Sequence, residues 1–369
     1  MRIRFTRLKL FFLLFAFLGC LGILVSSRAS ESEYYYFMRQ SLWFLLSVPA
    51  LFAVSRLELK LDTRQALLLF AASLCLLLAV LLFGVRINSM RGWFHFRGLG
   101  FQPAELLKPV FLVSLARLMS SEDYAPESKY GFFILLSLLG TWLTLLFLQP
   151  DAGTAIIYTL AFFSMLWTAG LSYRQLAFGL LSCVFAAPLA LWCYPYMLKR
   201  LEAFFRTNPE SVHTLGWHAS VMSKSLQNGG WFGKLFSEDP YMLKVPYRNN
   251  DSIFAVLSEQ LGFVGMLPII LLSYCWLAYC CMKASRCQRR QEQVLYVGCG
   301  VMLSAQAFLH LAVNLGLFPT TGITFPLISY GGSSLMASML IAAIVDSMNM
   351  QRADRKTGAG STYHNISVT

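Results

Sequence analysis

The 369-residue chain is 57% hydrophobic and only 13% charged, with a mean hydropathy of +0.57. This composition excludes a soluble globular domain, whose surface needs more charge, and indicates a polytopic membrane protein. The formal net charge of +12 does not indicate nucleic-acid binding, because Lys and Arg accumulate on the cytoplasmic side of membrane proteins.

Apolar runs recur along the whole chain, and about 20 mostly apolar residues suffice to cross a bilayer. The pattern predicts an all-α polytopic integral membrane protein with about ten transmembrane helices, forming a single membrane domain over residues 1–369. The fourth predicted span is short and the eighth is long. The ten spans cover about 10–27, 38–55, 66–84, 104–119, 131–149, 153–170, 174–194, 253–282, 294–318 and 332–350.

The first span follows a basic N-terminus and resembles a secretory signal, and Leu18-Gly19-Cys20 resembles a lipoprotein cleavage site. Because many apolar spans follow, we expect an uncleaved first membrane helix. The nine cysteines lie mostly inside apolar runs and are not paired with histidines by spacing. They predict neither a zinc site nor a disulfide framework.

Lys and Arg are concentrated in alternate loops, which sets the orientation. The N-terminus, the loops after the second, fourth, sixth and eighth spans, and the tail are basic, whereas the opposite short loops hold only Arg28, Arg86, Arg91 and Arg97. The cations of the long loop 195–252 do not count against this, because a loop of that length is near the limit where charge stops steering topology. The positive-inside rule therefore predicts that both termini are cytoplasmic. The one large loop, about 195–252, then faces outward, and the short polar tail, about 351–369, faces the cytoplasm.

Asp251 closes the large loop, directly before an apolar run. Asn250 and Ser252 flank it with hydrogen-bonding groups, and partial burial at the membrane boundary raises the pKa of a carboxyl group towards values that suit a general base. Asp251 is the candidate catalytic residue. Capping of the eighth helix is the structural alternative, and the two roles are compatible.

Basic residues of the same loop, including Arg200, Lys244 and Arg248, are candidates for binding a diphosphate, although charges in exposed loops are more often merely solvated. Glu259 follows Asp251 by eight residues, about two helical turns, so it lies near the same helix face and joins the candidate substrate-binding set.

Two further acidic positions occur within or beside spans. Glu105 and Lys108 are three residues apart at the start of the fourth span, so they can pair. A structural ion pair facing the bundle competes there with substrate binding. Asp151 lies in the short outer turn before the sixth span, where helix capping alone can explain it.

The segment 319–334 interrupts the apolar pattern with two prolines and several glycines. Irregular backbone at membrane depth occurs only against protein or a watery cavity. We expect this segment to line the outer site and to contribute Ser329, Tyr330 and Ser333, with packing support as the alternative. His310, inside the ninth span, is expected to be a hydrogen-bonded core residue.

Four segments, in this order, resemble signatures of the RodA/FtsW (SEDS) family: 101–108, 149–154, 251–256 and 326–334. The resemblance implies ten spans with a large outer loop between the seventh and eighth. It also implies polymerisation of lipid II into peptidoglycan glycan strands outside the bacterial cytoplasmic membrane, together with a class B penicillin-binding protein. By motif match, the family's essential loop Asp falls on Asp251, and its Glu and Lys fall on Glu105 and Lys108.

The large outer loop departs from the family pattern at several places. Leu235-Phe-Ser237 replaces Gly-Leu-Gly, Val245-Pro-Tyr247 replaces Leu-Pro-Glu, and Asn250 and Ser252 replace the Thr and Phe that flank the Asp. The sequence therefore resembles a divergent member of the family that keeps Asp251.

The resemblance implies an inverting glycosyl transfer with Asp251 as general base. Two alternatives remain open at this point: a lipid II flippase, and a non-catalytic scaffold for the penicillin-binding protein. The sequence predicts no metal ligands and leaves a divalent cation open. It also leaves open the choice between an elongation and a division role.

Overall fold

The computed structural model describes residues 6–26, 33–87, 90–96, 99–193, 195–205, 215–234 and 245–364. Helices lie at all ten places where the sequence predicts a span, and two more belong to the large loop. The helices are α1 Arg7–Ser26, α2 Glu33–Val54, α3 Thr63–Phe83, α4 Pro103–Leu106, α5 Lys108–Leu118, α6 Lys129–Leu148, α7 Ala152–Thr168, α8 Tyr173–Cys193, α9 Pro195–Phe205, α10 Leu215–Gly229, α11 Ile253–Ser285, α12 Arg290–Asn314 and α13 Gly332–His364.

Seven helices of the described chain are long and apolar enough to cross a membrane: α1, α2, α3, α6, α11, α12 and α13. The apolar helix α7 is shorter, at 17 residues. The prediction of a helical polytopic membrane protein is confirmed, apart from one small sheet, and the number of ten spans stays a prediction.

The fourth predicted span is two short helices, α4 and α5, which meet at Leu107. Pro103 occupies the first turn of α4 and Pro109 the first turn of α5, where a missing N–H costs no hydrogen bond. Nearly all of α5 is buried, including Phe111. Its ring lies 4.9 Å from that of Trp142 in α6 and 4.7 Å from that of Tyr158 in α7, so the span lies at the centre of the bundle.

A small antiparallel sheet between α3 and α4 was not predicted. Its strands are β1 Val85–Ile87, β2 Met90–Phe96 and β3 Leu99–Phe101, in the order β1-β2-β3. Phe94 pairs with Phe101, and their rings lie 5.5 Å apart. Such cross-strand aromatic pairs stabilise short strands.

A second unpredicted feature is a buried ion pair that joins α1 to α13. Lys9 Nζ lies 3.0 Å from Asp346 Oδ2, and the Thr6 hydroxyl donates to Asp346 Oδ1 at 2.7 Å. Because both charges are almost fully buried, they are tolerable only as a pair. In the second half of α1, Gly19 packs directly against the carbonyl oxygen of Leu327, so α1 also contacts the segment that precedes α13.

Helix α11 is broken at Gly262, whose φ is +68° and ψ 179°. The freed amides of Phe263 and Val264 donate to the carbonyls of Gly230 and Trp231, at 2.9 and 3.0 Å. Residues 253–260 before the break are all buried, whereas Phe263 and Val264 are half exposed. The turn after α10 therefore completes α11 at the point where the helix leaves the protein interior.

We expect Gly262→Ala to destabilise the protein, because only glycine adopts this backbone conformation readily and a Cβ there would lie 2.3 Å from the amide nitrogen of Gly233. The strain alone is of order 1–3 kcal/mol, measurable as a lower Tm in detergent. Gly140→Ala in α6 is the matched control, since nothing lies within 4 Å of its Cβ position. Equal Tm values for the two variants would contradict the conclusion that the break in α11 requires glycine at position 262.

Candidate functional site

Asp251 lies in a tight turn directly before α11. The amides of Asn250 and Ser252 both donate to the carbonyl of Tyr247, at 2.9 and 3.4 Å, and Tyr247 has a φ of +49°. Ser252, not Asp251, is the N-cap of α11. The capping alternative for Asp251 is therefore wrong, which leaves its carboxylate for another role.

Three distant segments fix this turn through hydrogen bonds. The side chain of Asn314, at the end of α12, donates to the carbonyl of Asp251 at 2.9 Å. The amide of Tyr330 donates to the carbonyl of Asn249 at 2.8 Å, and the hydroxyl of Ser26, the last residue of α1, donates to the side-chain oxygen of Asn249. The position of Asp251 is thus set by α1, α12 and the segment after α12.

The segment 319–334 reaches the turn as the sequence predicts, but the predicted hydroxyls of Ser329 and Ser333 bind backbone groups. Ser329 Oγ donates to the carbonyl of Asn250 at 2.8 Å and accepts from the amide of Phe325 at 2.7 Å. Ser333 Oγ accepts from the amide of Gln102 at 2.8 Å. Ser329 and Ser333 therefore hold the walls of the site together.

Gly322 faces the carboxylate of Asp251. A Cβ built on Gly322 would lie 3.6 Å from Asp251 Oδ2, and the φ of Gly322 is +76°. Glycine satisfies the backbone conformation and also keeps space beside the carboxylate open. The carboxylate oxygens accept no hydrogen bond from the described part of the chain, so they are available to an incoming group.

Arg200 of α9 supplies positive charge beside Asp251. Its Nη1 donates to the carbonyl of Thr320 at 2.9 Å, two residues before Gly322. Burial raises the pKa of Asp251 to about 6, while the charge of Arg200 opposes that rise. Asp251 is thus a carboxylate at neutral pH with a pKa closer to the operating pH than that of an ordinary Asp, as general-base catalysis requires.

His218 of α10 contacts Ser252, the residue after Asp251, and was not predicted. Its Nε2 lies 2.8 Å from Ser252 Oγ, and that hydroxyl donates to the carbonyl of Pro246 at 2.9 Å. Since the hydroxyl proton is committed to Pro246, the imidazole donates to Ser252. Burial, assisted by the charge of Arg200, lowers the pKa of His218 to about 4, so a neutral His218 holds α10 against the turn.

The remaining predicted cations are only partly described. Arg248 is half-buried; burial lowers its pKa, and the neighbouring Tyr36 opposes that shift. The ring of Tyr36 packs edge to face on that of Tyr330 at 5.0 Å. Arg248 and Tyr330 therefore lie on the α2 side of the site, whereas Lys244 lies outside the described residues.

Glu105 and Lys108 form the expected pair. Lys108 Nζ lies 2.6 Å from Glu105 Oε1 and donates to Gln306 Oε1 of α12 at 2.7 Å, and its side chain is 1% exposed. The amide group of Gln306 in turn donates to Thr324 and Ser334, at 3.0–3.1 Å. The pair is therefore linked to the 319–334 segment through the side chain of Gln306 and helps to hold that segment in place.

Asp151 caps α7, as the structural alternative predicts. Its Oδ1 accepts from the amide of Thr154 at 3.1 Å, and its Oδ2 accepts from the Gln102 side chain at 2.8 Å. Because the amide of Gln102 also donates to Ser333, Asp151 is tied to the start of α13 through Gln102. The carboxylate of Asp151 is thus occupied by protein donors.

Glu259 is buried, and its carboxylate is directed to α10. Ser225 Oγ donates to Oε2 at 2.5 Å, and the side chain of Asn228 donates to Oε1 at 3.2 Å. Glu259 therefore fixes α10 on α11 in the same way as His218 does near the other end of α10. Its predicted contact with substrate stays a prediction.

Sequence reasoning missed the polar residues that hold the Asp251 turn. Gln306 and Asn314 are polar and lie in an apolar span, which is itself a signal that could have marked them. His310 behaves as expected: it is buried, and its Nδ1 donates to the carbonyl of Ile323 at 2.7 Å.

Metal ligands do not cluster in the described part of the chain, where no three His, Cys, Asp or Glu side chains come together. The arrangement that remains is a proton acceptor, Asp251, with a guanidinium nearby and open space beside Gly322. Such a group can remove a proton from a hydroxyl that enters this space.

Comparison with known proteins agrees with this picture. The sequence profile of the FtsW/RodA/SpoVE family, described as cell cycle proteins, matches residues 4–354. The probable peptidoglycan glycosyltransferase FtsW of Hahella chejuensis is 33% identical over 326 residues, which cover 86% of this chain and 81% of that protein.

Two solved structures share the fold over nearly the whole chain. One, described as showing structural coordination of polymerization and crosslinking by a peptidoglycan synthase complex, has a TM-score of 0.77 and 29% identity and covers 93% of this chain and 97% of that one. The other is the rod shape determining protein RodA of Thermus thermophilus, with a TM-score of 0.67, 27% identity, and coverage of 93% and 96%. The predicted resemblance is confirmed: this multi-pass membrane protein belongs to the FtsW/RodA/SpoVE family.

Proposed function

We propose that this chain is a peptidoglycan glycosyltransferase that polymerises lipid II into glycan strands on the outer face of the bacterial cytoplasmic membrane. The observation that carries the proposal is the carboxylate of Asp251, which has a raised pKa, lacks a capping role and faces open space beside Gly322. The family relatives and the peptidoglycan synthase complex support the reaction class.

In the proposed step, Asp251 removes the proton from the 4-hydroxyl of the N-acetylglucosamine of one lipid II. The oxygen attacks the anomeric carbon of the N-acetylmuramic acid at the lipid end of the growing strand. A glycosidic bond forms, the bond to undecaprenyl diphosphate breaks, and its electron pair leaves with the diphosphate. One displacement inverts the anomeric carbon.

The leaving diphosphate needs positive charge in the transition state. Lys108 is an unfavourable candidate, because its ammonium is buried and donates to two protein acceptors. Arg248, half-buried on the α2 side of the site, fits this role better.

The proposed arrangement places both termini in the cytoplasm and the large loop outside. The partner is a class B penicillin-binding protein, which crosslinks the strands. The synthase complex that this chain resembles couples polymerization to crosslinking and supports such a partnership.

A lipid II flippase is the main alternative. Transport of a charged headgroup calls for polar groups along a path through the membrane. The described spans hold two buried charge pairs, Glu105–Lys108 and Lys9–Asp346, and both pairs are engaged within the bundle. Charges that are engaged with each other do not form a path for a lipid headgroup. The arrangement therefore favours a reaction at one face of the membrane over transport of the headgroup through the helix bundle.

The function is tested in proteoliposomes that contain the purified chain and its penicillin-binding partner, with fluorescent lipid II in one leaflet. The proposal predicts glycan polymer without faster exchange of lipid II between leaflets. Faster exchange without polymer would support the flippase. Neither activity, with the complex intact, would support the scaffold.

The polymerisation rate should fall as the pH is lowered through about 6. Burial raises the pKa of Asp251 to about 6, and only the deprotonated form accepts a proton. In Arg200→Gln the acidic limb should move to higher pH, because the charge of Arg200 lowers the pKa of Asp251. Rates measured from pH 5 to pH 8 check both expectations, and an unchanged limb in Arg200→Gln would contradict the second.

A further inference from the structure

A cavity of about 330 Å³ lies between α9, α10 and the segment that follows α12. Arg200 and Phe204 of α9 form one wall, Ser220 and Ser223 of α10 a second, and residues 315–320 the remainder. This volume is at the lower end of the range for small-ligand sites, and none of the contacts described above fills it.

Two connections place the cavity next to Asp251. Thr320 lines the cavity and accepts from Arg200, and Gly322, which faces Asp251, is two residues further along. Two residues of extended chain span at most about 7 Å. In addition, Arg200, which forms one wall of the cavity, is the cation whose charge acts on the carboxylate of Asp251.

The chemistry of the walls fits a sugar better than a diphosphate. A diphosphate site presents several cations or free N–H groups. Among the residues that line this cavity, Arg200 is the sole charged side chain, and its Nη1 donates to Thr320. The rings of Phe204 and Phe318 offer apolar surface for the face of a sugar. The hydroxyl of Ser220 donates to the carbonyl of Trp217 at 2.8 Å, so its oxygen, like that of Ser223, can accept a hydrogen bond from the edge of the sugar.

We propose that this cavity is the acceptor subsite, which holds the terminal N-acetylhexosamine of the incoming lipid-linked disaccharide. In an inverting displacement, the base contacts the attacking hydroxyl, and the leaving group departs from the opposite side of the anomeric carbon. A neutral sugar site beside Asp251 therefore belongs to the acceptor. The inference rests on the proposed function.

The test measures how fast an externally added, membrane-impermeant maleimide modifies Ser220→Cys in the full-length chain with its partner, on an Asp251→Asn background that prevents turnover. The rate of the parent chain is subtracted to remove the native cysteines. Lipid II at ten times its Kd should slow modification about tenfold, since only unoccupied sites react. Undecaprenyl diphosphate should leave the rate unchanged.

Lys224→Cys, on the exposed surface of the same helix, is the matched control and should react at the same rate with and without lipid II. Equal protection of Ser220→Cys by undecaprenyl diphosphate would assign the cavity to the leaving group and overturn the proposal, as would no protection by lipid II or equal protection of Lys224→Cys. Protection requires no turnover, so this outcome is separate from failure of the wild-type chain to polymerise.

Discussion

Asp251→Asn should lower the rate of lipid II polymerisation by at least about 10²-fold, the lower end of what a positioned general base contributes. Asparagine has the same shape but accepts no proton at neutral pH. The turn itself should survive, because Asn314, Tyr330 and Ser26 bind its backbone and Asn249 rather than the carboxylate of Asp251. Initial rates in proteoliposomes, together with Tm, separate loss of chemistry from loss of fold.

Asp123→Asn is the matched control, since Asp123 is an exposed carboxylate in the loop after α5. It should polymerise at the wild-type rate. An Asp251→Asn protein that keeps more than a tenth of the wild-type rate would remove Asp251 as the base.

Lys108→Met should destabilise the fold by about 3–5 kcal/mol, the cost of leaving one partner of a buried ion pair without the other. The substitution strands the charge of Glu105, whose Oε2 already has no hydrogen-bond partner in the described structure, and leaves Gln306 Oε1 without its donor. Unfolding of the purified protein in detergent, followed by Tm, measures the loss.

Two comparisons sharpen this expectation. Lys60→Met removes one partner of a solvent-exposed pair with Glu58 and should leave the Tm close to that of the wild type. The double variant Glu105→Gln with Lys108→Met removes both charges and should recover part of the stability lost in Lys108→Met. A Lys108→Met protein as stable as Lys60→Met would show that the buried pair is not structural.

The membrane helices were predictable because each lies in an apolar run whose length is set by the thickness of the bilayer. The break between α4 and α5 was not predictable. Pro103 and Pro109 each stand in the first turn of a helix, where the missing N–H is tolerated, so neither proline by itself marks a break inside a span. The three-stranded sheet was also missed, because its short strands lie in a segment that was judged only by its charge.

Asp251 was singled out from the sequence because it stands at the boundary between a polar loop and an apolar run, and its catalytic role stays a prediction. The residues that hold it could not, because Ser26, His218 and Asn314 are far from it in the chain and meet it only through helix packing. Glu259 was placed on the Asp251 face from helical spacing, but its carboxylate binds Ser225 and Asn228 of α10. Helical spacing predicts the face of α11 on which Glu259 lies, but it does not predict which neighbouring helix packs on that face.

The most direct test of the central claim is polymer formation by the purified complex after its penicillin-binding partner has been inactivated with penicillin. Crosslinking is then blocked, so the product is uncrosslinked glycan strands, and comparison with Asp251→Asn assigns their formation to this chain. We expect the wild-type chain still to convert lipid II to glycan strands and Asp251→Asn in the same complex not to do so. Equal polymer from both, or none from an intact wild-type complex, would contradict the central claim.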